Sequence, residues 1–181
     1  TPQNFMPKDD KNKSHPMTTT INSTIDLAII KELFTNIIKL SEENDCYNDK
    51  LNIWRNIVNS IPTYKTNEDG AVKEWQDDIF EDRYYHRHLS HLYPVFPGDE
   101  ITSESNNISS FEKAVDLREI GAQTGWSLVH MAAIYARFER GNDAMQCLND
   151  IAKTCIQKNF FTLHNDWRRM DISLEMEKIG R

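Results

Sequence analysis

The sequence predicts an all-α fold. Apolar residues recur at three- and four-residue spacing in several segments. No stretch alternates apolar and polar residues as a half-buried strand does. Short turns, two of them marked by Gly121 and Gly141, separate the helical segments, which suits helical hairpins.

The elements follow in order. Residues 1–20 are polar and interrupted by Pro2, Pro7 and Pro16, and read as a solvated lead-in. A strong helix follows, capped by Ser23 or Thr24, with Asp26 in the first turn to complement the helix dipole. Its expected inner face is Ile30, Leu33, Phe34, Ile37 and Leu40. A second helix is expected from about Asn48-Asp49, with Trp54, Ile57, Val58 and Ile61 inward and Pro62 as its stop. Residues 62–102 read as one long irregular segment containing the turn Asn67-Glu68-Asp69-Gly70. Loops of that length within a compact domain are usually functional or disordered. Its aromatic side chains (Trp75, Phe80, Tyr84, Tyr85, Tyr93, Phe96) argue for order.

Three more helices are predicted. The first starts at a capping box, Ser109-x-x-Glu112, and ends at Gly121. The second opens at Thr124-Gly125 and runs through Trp126, Val129, Ala132, Ala133 and Ala136 to Gly141. The third is capped by Asn142, with Met145, Leu148, Ile151, Ala152 and Cys155 inward.

Composition narrows the function. The 181 residues suffice for one domain with a core. A net charge of −7 disfavours nucleic acid and anionic membranes as partners. Mean hydropathy is −0.65, and no apolar run approaches the roughly 20 residues that span a bilayer. Thr1 to Lys13 lack the apolar segment of a signal peptide. Cys46, Cys147 and Cys155 form no C-x-x-C pair and read as buried free thiols.

The chemistry concentrates in His86-Arg87-His88-Leu89-Ser90-His91, three imidazoles and a guanidinium within six residues, followed by an aromatic Pro-Gly stretch ending at Gly98. Such donors beside aromatic rings suit a hydroxyl-rich ligand. Three readings apply: a sugar-binding loop centred on Arg87 and His88, a loop tied together by its own histidines, or a metal site. The last lacks acidic or cysteine partners at ligand spacing, so neither metal nor cofactor is expected. Glu74-Trp75 lies just upstream. A carboxyl packed on an indole is desolvated, so its pKa rises and it can serve as a general acid, with Trp75 as a stacking surface. The plainer reading of Glu74 is a surface carboxylate beside Asp77, Asp78, Glu81 and Asp82. A third group, Asn159 to Arg169 with Phe160, Phe161, His164, Asp166 and Trp167, reads as a second sugar-facing loop or as a solvated helix-to-loop segment.

In order along the chain, D-G-x-x-K-E-W (Asp69–Trp75), H-R-H-x-S-H-L-Y-x-x-x-P-G (His86–Gly98), T-G-W-S-L (Thr124–Leu128) and N-x-F-x-x-H (Asn159–His164) resemble the catalytic domain of glycoside hydrolase family 95. The resemblance implies an (α/α)6 toroid, of which residues 1–181, with five or six helices, would be a single helical part. It also implies inverting hydrolysis of terminal α-L-fucosides or related L-sugars on an oligosaccharide or glycan substrate, and it fits an exported protein. By position, Arg87, His88 and His164 match sugar-subsite residues. The family's glutamate acid falls on Gln3, and an amide cannot donate a proton as a carboxylic acid does. The family's H-P-P-F-Q-I-D motif is replaced by His164-Asn165-Asp166-Trp167-Arg168-Arg169. Glu74 is then the fallback acid, and the alternative is a catalytically inactive helical carbohydrate-binding or scaffold domain.

Overall fold

A computed structural model describes residues 21–84, 86–118 and 124–162. Five α-helices stand among them: α1 (Thr24–Glu43), α2 (Leu51–Ser60), α3 (Ile108–Asp116), α4 (Gly125–Arg137) and α5 (Gly141–Thr154). Pairing across strands is limited to isolated bridges among the described residues.

Helix α1 begins where the sequence places it. Ser23 is its N-cap: the hydroxyl accepts from the Asp26 amide, satisfying a donor that the first turn leaves unpaired. Helix α2 packs back against α1. Trp54, Ile57, Val58 and Ile61 are half-buried as predicted. The inner face expected for α1 is covered only in part, Phe34 and Ile37 being half-buried. Ile30, Leu33 and Leu40 are exposed, while Ala28 and Ser41 are buried. Periodicity identified the apolar stripe, but among the described residues nothing packs over much of it.

The segment after α2 is irregular, as its turn residues foretold, yet it forms the interior. Ala71, Val72, Lys73, Glu74, Trp75 and Gln76 are all buried in succession. The Asn67–Gly70 turn launches this run. Asn67 Oδ1 accepts from the Asp69 and Ala71 amides, and Gly70 takes φ +79, which glycine adopts without a Cβ penalty. A buried backbone must place every polar group. The Val72 amide donates to Ser110 O of α3, the Glu74 amide to Asp82 Oδ1, and Glu74 O accepts from the Thr24 amide at the start of α1. Thr24 Oγ1 donates to Lys73 O and accepts from Gln76 Nε2.

A 3-10 turn, Ser90–Leu92, then leads into the Pro-Gly stretch. Leu89, Leu92 and Val95 enter the main core with Phe111, Val115 and Ile134. Gly98 is required by close approach, since a Cβ there would lie 2.6 Å from the Tyr93 carbonyl oxygen.

Helix α3 starts before the predicted Ser109–Glu112 box. Asn107 is its N-cap and makes no side-chain cap bond, so Ser109 is already helical and cannot cap. Thr124 caps α4 in a reciprocal box with Ser127. That helix stops at Arg137 rather than running to Gly141, because Glu139 takes φ +61 and turns the chain. Arg140, not Asn142, is the N-cap of α5. Helices α4 and α5 pack as a hairpin. The face expected for α5 is covered in part: Cys155 is buried and Ile151 half-buried, while Met145 and Leu148 are not covered. Met131, Ile134, Tyr135, Cys147 and Cys155 are buried, whereas Trp126, Val129, Met145 and Leu148 are exposed. All three thiols are free. Cys147 and Cys155 are buried, as expected, and Cys46 is half-buried.

Candidate active site

The basic loop of residues 86–91 rests on a buried charged cluster. Arg118, just past α3, lies beneath it at 7% exposure. Its Nη1 donates to the carbonyl oxygens of Arg83 (2.9 Å) and His86 (3.3 Å). Its Nη2 lies 3.0 Å from Nε2 and 3.2 Å from Nδ1 of His91. An arginine donor needs an unprotonated imidazole nitrogen as acceptor. Burial and the neighbouring guanidinium supply that condition by holding the His91 pKa well below the usual histidine value.

Glu74 sits in the same cluster. It is 5% exposed and accepts from Ser90 Oγ at 2.8 Å. Burial raises its carboxyl pKa, while Arg118 and the Ser90 hydroxyl pull it down. Desolvation, the cause expected from the sequence, is the largest contribution to the raised pKa. The carboxyl is enclosed by the loop instead of lying at an open surface. Trp75 does not offer the stacking platform expected of it. The indole is 6% exposed and packs at 6.0 Å and 58° against Phe80 in a small separate core. Burying so large an apolar ring stabilises the segment and leaves little face for a sugar.

Arg87 and His88 are half-buried. Among the described residues, no hydrogen bond or ion pair engages the Arg87 guanidinium. The His88 ring stacks obliquely on that of His86, 5.1 Å between centroids. His86 is buried, which with nearby positive charge lowers its pKa to about 4. On the far side of the loop, His130 Nε2 of α4 donates to Phe96 O at 3.0 Å. Gln3 and His164 lie outside the described residues.

Among the described residues, two clefts bear on the site. One, about 170 Å³, lies between α1 and the stretch containing Tyr93 and Glu100. The other, about 630 Å³, is acidic and bordered by Asp69, Asp78, Glu81 and Asp82. Arg87 and His88 line neither. Among the described residues no group of three or more His, Cys, Asp or Glu could hold a metal ion, and no helix is long and apolar enough to cross a membrane.

Sequence reasoning missed Arg118 and His130. A single arginine after an amphipathic helix has no distinctive spacing, and Arg118 reaches partners 27 to 35 positions away.

Paired helices and a long ordered segment carrying the basic loop make this a helical domain. The chain belongs to the glycosyl hydrolase family 95 catalytic domain, whose family model matches residues 2–171. The all-α architecture is that of part of an (α/α)6 toroid. The chain is 36% identical over 141 residues to alpha-L-fucosidase 2 of Arabidopsis thaliana, covering 75% of this chain and 16% of that protein. It is 27% identical over 118 residues to probable alpha-fucosidase A of Aspergillus niger, covering 61% of this chain and 15% of that protein. It therefore spans less than a fifth of the length of these curated relatives.

Proposed function

We propose that this chain contributes to the catalytic domain of an inverting glycoside hydrolase that removes terminal α-L-fucosyl or related L-sugar residues from glycans. The observation that carries this reading is the contrast within the basic loop. Arg118 and Glu74 grip its backbone and Ser90 from below, while the Arg87 guanidinium has no partner among the described residues. A charged side chain held on a braced loop and left unpaired is suited to grip a polar ligand. In this reading Arg87 and His88 bind the sugar hydroxyls, and His164 completes the subsite. The names of the relatives support the sugar class.

Inversion needs an acid and a base carboxyl on opposite sides of the bond, roughly 6.5–9.5 Å apart. Gln3 at the family's acid position favours a second reading, a domain that keeps sugar recognition without turnover. Hydrolysis of a nitrophenyl α-L-fucoside by the intact protein, beside its Gln3→Glu variant, separates the two. Turnover by the wild type supports the hydrolase; activity only in the variant supports the inactive domain. Calorimetric titration of L-fucose into Arg87→Ala should show lost binding in a folded protein. Unchanged affinity would count against both readings.

A further inference from the structure

We infer that Arg118 and Glu74 form a positioning pair that sets the placement of Arg87 and His88, so that Glu74 acts through the loop and not as a proton donor to the leaving group. This rests on the reading of the loop as the sugar subsite.

The contacts bracket the two residues. Ahead of Arg87, the Arg118 guanidinium holds the carbonyls of Arg83 and His86. After His88, it contacts the His91 ring, and Glu74 holds Ser90. Anchors on both sides leave positions 87 and 88 little freedom to shift. Glu74 and Arg118 also act on each other electrostatically, so each compensates the other's buried charge.

Stability alone is a poor explanation for such a pair. Desolvating two charges costs about as much as their attraction returns, and a well-packed apolar pair often serves as well. Here the Arg118 Nε finds no hydrogen-bond partner among the described residues, which adds to the cost. An apolar pair could not, however, hold two carbonyls and an imidazole at fixed angles. The planar fork of arginine can. The burial of Glu74 fits the same role: at 5% exposure with an oxygen committed to Ser90, its carboxyl is turned to the loop.

The test separates positioning from acid catalysis by leaving group. Fluoride leaves α-L-fucosyl fluoride without a proton from the enzyme, whereas the galactose leaving a fucosyl-galactoside needs one. In the intact protein, Glu74→Gln and Arg118→Lys should each lower kcat/KM by roughly 100-fold, the scale of a 1 Å misplacement, and by the same factor on both substrates. Both variants should also weaken L-fucose binding by calorimetry, which loss of an acid alone leaves intact. Should either variant fail to fold, Ser90→Ala probes the same bracket and should show the same equal losses at smaller size. A loss confined to the galactoside, or L-fucose affinity equal to wild type, overturns the inference. A wild type that neither binds L-fucose nor cleaves the fluoride overturns the functional reading first, and this one with it.

Discussion

The Ser90 hydroxyl donates to Glu74 Oε1 at 2.8 Å, joining positions 16 residues apart and fastening the basic loop to the buried run that begins at Ala71. One end of this bond is a carboxyl with almost no access to water. Deleting the donor therefore leaves an acceptor that solvent cannot easily satisfy. Ser90→Ala should lower stability by about 1–3 kcal/mol, the usual cost of a buried group left unpaired. Urea unfolding of variant and wild type checks this, and coincident curves would show that the bond contributes nothing.

Gly98→Ala tests the tight return of the Pro-Gly stretch. The added methyl would sit 2.6 Å from Tyr93 O and 3.3 Å from the Tyr93 ring. The nearer contact is backbone, which cannot rotate away. The Gly98 amide also donates to that carbonyl at 2.9 Å, so relief of the clash strains the bond. Overpacking of this kind costs about 1–3 kcal/mol. A variant as resistant to denaturant as wild type would mean that the turn opens freely.

The buried histidines fix the sign of an acid sensitivity. Burial, foremost, lowers His86 from 6.5 to about 4 and His91 in the same direction. Between those pH values the unfolded chain binds protons that the folded chain refuses. Stability from these two groups is thus complete above about 6.5 and is lost as pH falls toward 4. Glu74 runs the other way: its raised pKa favours the folded state at low pH and is a liability as pH rises. The His91 share is isolated by His91→Asn, whose melting temperature should fall less than that of wild type between pH 7 and pH 5. An NMR titration of the His86 ring should show a midpoint near 4. A midpoint near 6.5 would mean that the ring is hydrated.

Much of the local structure was legible beforehand. Ser23 and Thr124 cap helices because their hydroxyls reach amides of the first turn, a relation contained within four residues. Asn67–Gly70 turns for a similar reason, the asparagine side chain bonding amides two and four positions on. The Ser109 box failed because a sequence pattern allows several starting points, and α3 starts earlier, after Asn107.

The sequence alone determined the helical class, the caps at Ser23 and Thr124, the Asn67–Gly70 turn, the buried Cys147 and Cys155, and the loop in which chemistry concentrates, since each depends on neighbours close along the chain. Tertiary structure alone decided which parts of the α1, α4 and α5 surfaces are covered, leaving Leu33, Trp126 and Leu148 exposed while Ala28, Met131 and Cys147 are buried. It also decided that Glu74 and Trp75 lie inside and that Arg118 reaches under His91. Periodicity tells which side chains share a face, but only packing between distant segments selects the face that loses water and the charge that must follow it inward.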